Sequence, residues 1–485
     1  MQKKSLLKNA IYKITLNFFN LIVPVIIGAY VYRTLGTDAI GRVKTGETIF
    51  NYFFIFAAFG VYQYGLREVS RIKNDKQKVN QLFTSLFTLG LLTNLVALLV
   101  YLAVSYIGYG GKVLFPVLMV YSLNFFLNIF FVEWVNEAYE DYGFITLKTM
   151  IVKLIYVALL LTFVKSADNY LIFIGLLATT TGLNNIISFV YVKRKVKFDF
   201  KNISFRPHLR PLFLVVIFSN GNILYSQLDR FMLGEFVNER SVSYYTMAQQ
   251  IATMINALML SIIQVTIPRL SYLLGGENDE QYLTLLKKIA IVYSALLFPA
   301  AIGLYVIADV AVVLYGKEEF IPAGPVLSIF ALYMITIGFE SILSNQVIYI
   351  KKKENILVRL IFICGFINLA LNVGCLYFGV LDARTAIMTT AIANVFLIGS
   401  EYIYIRKFLK VPFQLLSWTN LKYLVYSILF IPISLAIRSF VSGTLLLTVS
   451  IITVCGLYYL LVLLATKDEI VGLFTTKLKG KFLKK

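Results

Sequence analysis

The chain has 485 residues, of which 59% are hydrophobic and only 14% charged. Soluble domains carry about a quarter charged residues, so this composition excludes a water-soluble protein. A formal net charge of +20 would indicate nucleic-acid binding in a soluble chain. Here the positive charge lies in short connections between apolar stretches, where it sets membrane topology and contacts anionic headgroups. We therefore expect a membrane protein that has anionic lipids as partners and binds no nucleic acid.

Apolar stretches follow one another along the chain, each long enough for a helix to cross a hydrocarbon core of roughly 30 Å. Because lipid offers no partners to backbone amides, each stretch is predicted to be helical. The sequence therefore predicts an all-α polytopic membrane protein with about 14 transmembrane helices. The first stretch is too long for a signal peptide and is expected to be retained. The predicted spans are 11–32, 46–66, 82–108, 113–133, 147–166, 169–192, 211–233, 241–267, 289–314, 322–349, 357–379, 382–405, 421–440 and 443–465.

The basic residues are distributed unevenly between the two sides of the predicted membrane. With the N-terminus in the cytoplasm, 32 of the 45 Lys and Arg residues fall in cytoplasmic segments and nine in outer connections. Short cytoplasmic loops of membrane proteins are enriched in Lys and Arg. The sequence therefore predicts that both termini are cytoplasmic.

The most basic connection, 193–210, divides the chain near its middle. It predicts an N-terminal lobe of six helices (1–200), a C-terminal lobe of six helices (201–410), and a final helix pair with a basic cytoplasmic tail (411–485). Both lobes open with a helix that ends in Arg followed by Leu-Gly, at Arg33 and Arg230. Two lobes built from repeats around a central cavity are a common transporter plan.

Polar residues recur at helical spacing on the first two predicted helices of each lobe, as Lys13, Asn17 and Asn20 do in the first span. Stripes of this kind, facing one another, would line a hydrated cavity. The alternative is that Asn and Gln side chains only join helices, each worth about 0.6 kcal/mol. The candidate substrate-binding residues are Lys13, Asn17, Asn20, Arg33, Glu47, Asn51, Lys153, Asn222, Ser226, Gln227, Asp229, Arg230, Gln249 and Asn256.

Ionisable residues inside predicted spans are costly in lipid and therefore informative. Lys13 and Lys153 lie near the cytoplasmic ends of their spans, where they bind an anionic group or extend to the headgroups. Glu340 lies deep in its span and is expected to be paired or protonatable, and Asp229 and Glu340 are candidates for ion coupling. The carboxylates near Glu133, at the end of the fourth span, are expected to face Lys148 or headgroup water.

The sequence contains no motif for several common kinds of chemistry. Cys364, Cys375 and Cys455 lie inside apolar spans without metal-ligand spacing, and His208 is the single histidine. Neither a nucleotide-binding loop nor a catalytic carboxylate motif occurs. We therefore expect no metal, no cofactor and no enzymatic activity.

Two short motifs resemble a known family, the polysaccharide-transporter branch of the multidrug/oligosaccharidyl-lipid/polysaccharide exporter superfamily. The resemblance is strongest to Wzx-type flippases, and it covers nearly the whole chain. The motifs are Arg33-x-Leu35-Gly36 followed by Ile40-Gly41, and Leu228-Asp229-Arg230-Phe231-Met232-Leu233-Gly234 followed by Val242-Ser243-Tyr244-Tyr245.

This resemblance implies a transporter of the bacterial cytoplasmic membrane that works by alternating access. Its substrate would be an oligosaccharide linked by pyrophosphate to undecaprenol, moved to the outer leaflet for capsule or other surface polysaccharide, alongside other polysaccharide-assembly proteins. The resemblance does not assign the cations by residue; from the positions of the charges we hypothesise that Lys13 and Lys153 receive the pyrophosphate and that Arg33 and Arg230 hold it near the outer side. A proton or sodium gradient would drive transport through Glu340 or Asp229.

Three alternatives remain open from the residues alone. A lipid II flippase would share the fold and the cationic groups. A drug or cation antiporter of the same superfamily would favour acidic over basic residues in its cavity, unlike this chain. A membrane polymerase or glycosyltransferase would need a large external loop, and the longest predicted outer connection, 33–45, is short.

Overall fold

A computed structural model describes residues 6–213, 215–216, 227–275 and 279–472 of the chain. Helices dominate these ranges, and the ranges contain no β-strand. The chain divides into two compact units, Met1–Ser243 and Tyr244–Lys485. The expected all-α fold is confirmed.

The first unit is built from long helices joined by short turns. Asp75 begins one of them by accepting hydrogen bonds from the backbone N–H groups of Gln77 and Lys78, both at 3.1 Å, which satisfies two otherwise unpaired donors. The helices are α1 (Leu6–Ala58), α2 (Val61–Ile72), α3 (Lys76–Tyr109), α4 (Phe115–Asn128), α5 (Glu133–Ala138), α6 (Tyr142–Phe163), α7 (Tyr170–Lys193) and α8 (Leu228–Phe236).

The second unit contains the remaining helices. Its last three helices, which lie between Trp418 and Ala465, pack on the long helix Asp279–Gly316. Tyr423 and Ile451 from these helices share an apolar core with Phe298. The Tyr459 hydroxyl donates to the Ala295 carbonyl at 2.7 Å. The helices are α9 (Glu239–Gly275, which begins in the first unit), α10 (Asp279–Gly316), α11 (Ala323–Leu343), α12 (Glu354–Tyr377), α13 (Ala383–Lys407), α14 (Trp418–Ile428), α15 (Phe430–Arg438) and α16 (Thr444–Ala465).

Within the described residues, eleven helical segments are long and apolar enough to cross a membrane. The first of them, Thr15–Ile72, covers the predicted span 46–66 and most of 11–32, and the shorter apolar helix α4 matches the fourth. The middle of the predicted seventh span, 211–233, lies outside the described residues. The protein is therefore a multi-pass membrane protein, as expected. The predicted lobe boundaries at 200 and 410 stay predictions.

The predicted outer connection 33–45 contains the point at which two helices meet, at Gly36, whose φ of 72° and ψ of −177° are not helical and whose φ suits glycine. The residues on either side of Gly36 are helical, so the connection is a kink and not a long loop. Residues after the kink, including Ile40 and Val43, are each about 1% exposed. Their burial stabilises helix here despite the charges that made the segment look like a loop.

Candidate functional site

Two spanning helices of the first unit are interrupted part-way. The long helix α1 ends at Ala58, Phe59 and Gly60 take positive φ values of 42° and 70°, and α2 begins at Val61. The path of α4 also breaks before α5, at 129–132, where no residue has a positive φ. Irregular backbone at membrane depth is tolerated only inside protein or along a hydrated cavity. Such breaks are also frequent at transporter binding sites.

A cavity of about 480 Å³ lies in the first unit between these breaks. Carboxamides and aromatic rings share its wall, which is the combination that recognises both hydroxyl groups and flat apolar faces. The polar lining residues are Gln63, Asn94, Asn128, Thr181, Asn184 and Asn185, and the aromatic ones are Phe54, Tyr62, Phe87, Phe131 and Trp134.

The amides along this cavity satisfy the broken backbone. The Asn94 side chain donates to the Ala57 carbonyl at 3.1 Å, and Asn128 donates to the Asn94 side-chain oxygen at 3.0 Å. Asn185 donates to the Leu127 carbonyl at 3.1 Å. These side chains therefore supply hydrogen-bond donors to backbone carbonyl groups next to both helix breaks, at the cavity wall. Sequence reasoning missed it, although several Asn residues within apolar spans were a visible signal.

The predicted residues Lys153 and Asn20 meet in the structure. The Lys153 ammonium on α6 donates to the Asn20 side-chain oxygen on α1 at 2.6 Å. Asn17, one turn away on α1, is exposed. The side chain of Lys13 lies outside the described part of the chain. An amide next to a cation of this kind can bind a phosphate-bearing group through charge and hydrogen bonds together.

A second predicted group gathers around Thr48. The Lys44 ammonium donates to Glu47 at 2.7 Å, and Arg230 lies close enough to Glu47 to interact electrostatically. The Gln227 side-chain oxygen accepts from the Thr48 hydroxyl at 3.3 Å and from Arg230 at 3.5 Å. The segment beginning at α8 is thus joined to α1 by polar contacts.

Two ion pairs join the same two segments next to this group. Arg240 binds Asp38 through two hydrogen bonds, at 2.7 and 2.9 Å, and Arg42 binds Glu239 at 2.8 Å. Only glycine fits at position 41, beside these pairs, because a Cβ there would lie 2.1 Å from the Glu239 carbonyl oxygen. We call the pairs Asp38–Arg240 and Arg42–Glu239 the latch.

The remaining candidates of the first unit are scattered. Asp229 is 2% exposed and interacts electrostatically with Tyr52, Asn51 is half-buried, and Arg33 is exposed. Asn222 and Ser226 lie outside the described residues.

In the second unit, Gln249 and Asn256 both lie on α9. Gln249 is half-buried, whereas Asn256 is 7% exposed. The side-chain oxygen of Asn256 has no hydrogen-bond partner in the described structure. This pair remains a candidate stripe.

Glu340 has polar neighbours that the sequence did not reveal. Asn394 on α13 and Ser344, just past the end of α11, both lie close enough to the Glu340 carboxyl group to interact with it. The Ser344 hydroxyl also donates to Glu401 at 2.6 Å. Glu401 was missed, although it is a carboxylate within a predicted apolar span. The described ranges contain no group of three or more His, Cys, Asp or Glu residues that could hold a metal ion.

Glu133 does face Lys148, as expected, but the contact is buried and not solvated. The Lys148 side chain is 2% exposed and forms an ion pair with Glu133. The Ser188 hydroxyl lies between them, 2.6 Å from the ammonium and 3.0 Å from the carboxylate. Partners on two neighbouring helices, α5 and α7, therefore offset the burial of this charge.

The chain is similar to two proteins named as O-antigen transporters. The protein from Shigella dysenteriae is 23% identical over 373 residues, which span 75% of this chain and 91% of the relative. The protein from Escherichia coli (strain K12) is 21% identical over 274 residues, which span 56% of this chain and 66% of the relative.

Solved structures of transporters share the fold at lower sequence identity. The lipid II flippase MurJ, in an inward closed conformation, superposes with a TM-score of 0.73 at 15% identity, covering 95% of this chain and 100% of that one. An inward-facing multidrug resistance MATE family transporter superposes with a TM-score of 0.62 at 15% identity, covering 82% and 94%. These likenesses show that the chain shares its fold with these two transporters.

The model of the polysaccharide biosynthesis protein family matches residues 6–274. That range is more than half of the chain and includes the helix breaks, the cavity and the latch. The resemblance to the polysaccharide-transporter branch is confirmed. The chain belongs to the polysaccharide biosynthesis protein family.

Proposed function

We propose that this protein is a flippase for a lipid-linked oligosaccharide used in surface polysaccharide synthesis. The observation that carries the proposal is the family match across 6–274 in a chain whose fold is that of membrane transporters. The relatives named as O-antigen transporters support this substrate class. It is a transport function and not catalysis.

The chemistry of such a substrate fits the groups in the first unit. A headgroup of sugars and phosphate cannot cross hydrocarbon unaided. The cavity at the helix breaks offers carboxamides and aromatic rings for the sugars, and Lys153 with Asn20 offers a cation and an amide for the phosphate. In this proposal Lys13 assists on the entry side, and Arg33 and Arg230 hold the phosphate on the exit side.

The finer features of the proposal concern the membrane and the transport cycle. The lipid is undecaprenyl pyrophosphate, the membrane is the bacterial cytoplasmic membrane, and both termini face the cytoplasm. Alternating access opens the outer side when the latch breaks, and a proton or sodium gradient drives the cycle through Glu340 or Asp229. Neighbouring polysaccharide-assembly proteins supply and consume the substrate.

The alternatives differ in what they would transport or make. The lipid II flippase shares the fold, and a complementation test separates it from the proposal. A drug antiporter is less well supported, because the family match and both relatives concern polysaccharides. A membrane polymerase is less well supported, because the sequence contains no catalytic motif.

The proposal is tested by removing the two cytoplasmic cations together. In a strain whose surface polysaccharide depends on this protein, Lys13→Ala with Lys153→Ala should abolish the polysaccharide at unchanged protein level, because the phosphate loses its cations. Lys13→Arg with Lys153→Arg should retain export, and Lys352→Ala, at an exposed lysine, serves as the control. Normal export by the double alanine variant would contradict the proposed entry site.

A further inference from the structure

The connection 193–210, which follows α7, is fixed to α3 by hydrogen bonds and is not a free loop. The backbone N–H of Lys197 donates to the Asn80 side-chain oxygen, and that of Asp199 donates to the Thr84 hydroxyl oxygen, both at 2.8 Å. Thr84 is completely buried. Because backbone donors of the connection obtain partners on a spanning helix, the connection has a defined course.

Two further contacts enclose a cavity next to the connection. The Ser204 N–H donates to the Ser85 hydroxyl oxygen on α3 at 3.1 Å, and the Tyr64 hydroxyl on α2 lies 2.8 Å from Nδ1 of His208. The cavity between these elements has a volume of about 280 Å³ and shares no lining residue with the cavity at the helix breaks. Ligand cavities range over about 300–1,000 Å³, so this one suits a single sugar or headgroup and not an oligosaccharide.

A cation and two uncommitted polar side chains line this cavity. Lys78 on α3 supplies the cation, and its ion pair with Asp75, at 3.3 Å, is exposed and therefore weak. Within the described ranges, the Gln81 carboxamide and the Ser204 hydroxyl have no hydrogen-bond partner. These three groups are therefore available to a ligand.

The cavity also offers acceptors for the hydrogens of hydroxyl groups. Glu68 on α2 accepts from Arg67 at 2.8 Å and from Arg71 at 3.5 Å, so its charge is compensated while its carboxylate can accept further hydrogen bonds. His208 has a second ring nitrogen without a partner among the described residues. Burial lowers the pKa of His208, so the ring is neutral at neutral pH, and this nitrogen donates or accepts according to the tautomer.

The charge around the cavity favours an anionic ligand. The connection 193–210 carries seven Lys and Arg residues and one acidic residue, Asp199. The Asp199 carboxylate already accepts hydrogen bonds from Lys201 and Asn202 within its own turn. A ligand that carries both a phosphate and hydroxyl groups matches the cation and the neutral polar groups together.

We propose that the cavity between α2, α3 and the connection 193–210 binds a phosphorylated polyol. The phosphate binds Lys78, and the hydroxyl groups bind Gln81, Ser204 and Glu68. Two sources supply this chemistry, the headgroup of phosphatidylglycerol in the adjacent leaflet and a soluble glycerol or sugar phosphate. Binding joins the connection to α2 and α3 and stabilises this side of the first unit. The site does not rest on the proposed flippase function.

Titration calorimetry of the purified full-length protein, in a neutral detergent without phosphate buffer, tests the site with glycerol phosphate and with short-chain phosphatidylglycerol. The wild type should bind one equivalent of at least one of the two. Lys78→Gln with Gln81→Ala should weaken binding about tenfold or more, since a hydrogen bond to a charged group is worth about that factor. The matched control Lys76→Gln with Gln77→Ala, at exposed positions outside the cavity, should bind like the wild type. Equal weakening in both double variants, or no binding of either ligand by the wild type, would overturn the proposal.

Cysteine protection tests the position of the ligand and identifies its source. In a variant without the native cysteines, Ser204→Cys should react with a maleimide, and bound ligand should slow that reaction severalfold. Lys201→Cys, exposed and outside the cavity, should react equally with and without ligand. Protection by phosphatidylglycerol alone indicates a lipid headgroup, and protection by glycerol phosphate indicates that a soluble ligand suffices. Binding without protection of Ser204→Cys would place the ligand elsewhere and contradict the proposal. The flippase proposal is tested separately by polysaccharide export and survives either result.

Discussion

Lys148 shows how a single polar residue is accommodated in this membrane protein. Its ammonium is buried, and the compensating groups come from Glu133 on α5 and Ser188 on α7. The sequence placed a carboxylate near this lysine but not at such depth. The reason is that Ser188 is 40 residues away along the chain, and no local pattern shows that the three helices converge.

Breaking the Lys148–Glu133 pair should destabilise the protein strongly. Lys148→Met leaves Glu133 without its cation, which typically costs about 3–5 kcal/mol in a buried pair. Lys148→Met combined with Glu133→Gln should recover most of that loss. The control Lys73→Met breaks the more exposed pair with Glu140 and should cost about 1 kcal/mol or less. Thermal unfolding in detergent measures all three, and equal losses for Lys148→Met and Lys73→Met would contradict the buried-pair argument.

The candidate site was predictable residue by residue only in part. Helical spacing selected Asn20, and the cost of a charge in lipid selected Lys153, but their 2.6 Å contact depends on how α1 packs against α6. Glu340 was recognisable as a carboxylate deep in an apolar span. Its partner Glu401 escaped because it lies close to the basic end of its helix, where a charge has an ordinary explanation.

Among the elements, the interrupted helices distinguish this fold from a plain bundle. Hydropathy locates a spanning segment, but it does not show a break, because a broken helix is as apolar as an intact one. The span predicted at 46–66 therefore contains the turn at Phe59 and Gly60. Conversely, 33–45 is rich in charge and yet helical on both sides of Gly36, since Asp38 and Arg42 are paired in the latch and the apolar side of the segment is buried.

Substituting Gly60 tests the importance of the first break. Gly60→Ala places a side chain at φ 70°, and its Cβ would lie 2.9 Å from a Val215 methyl group. The left-handed backbone alone costs about 1–2 kcal/mol, so the variant should unfold at a lower temperature and transport less. Gly90→Ala, on α3 in the wall of the same cavity, has no atom within 4 Å of its Cβ. It should be neutral or stabilising by up to about 1 kcal/mol.

The two variants must be compared in the same detergent, by thermal unfolding and by export of surface polysaccharide. Both glycines line the cavity, but only the methyl group added at Gly60 meets a neighbour, Val215. A loss confined to Gly60→Ala therefore reports the left-handed backbone together with this contact. Equal behaviour of the two variants would show that the break does not require glycine.

For the whole molecule, the sequence was most informative about the class of protein. Composition and the length of the apolar stretches were enough to predict a multi-pass helical protein, because the bilayer imposes both. The division into units depends on long-range packing, and the charge count does not contain it. The closing helices, for example, join the second unit through Tyr423 on α14 and Tyr459 on α16, which both pack against α10. The one-sided charge remains a prediction of orientation that can be tested independently.

Orientation can be measured with single cysteines after the native ones are replaced. The native cysteines are Cys364, Cys375 and Cys455, which are not fully exposed and can be changed to alanine. Gly111→Cys lies in the exposed turn between α3 and α4, and Lys201→Cys lies in the basic segment after α7. If the positive charge marks the cytoplasmic side, a membrane-impermeant maleimide should label Gly111→Cys in intact cells, and Lys201→Cys only after permeabilisation. The opposite labelling pattern would reverse the topology, and it would place the Lys153–Asn20 pair on the exit side of the membrane.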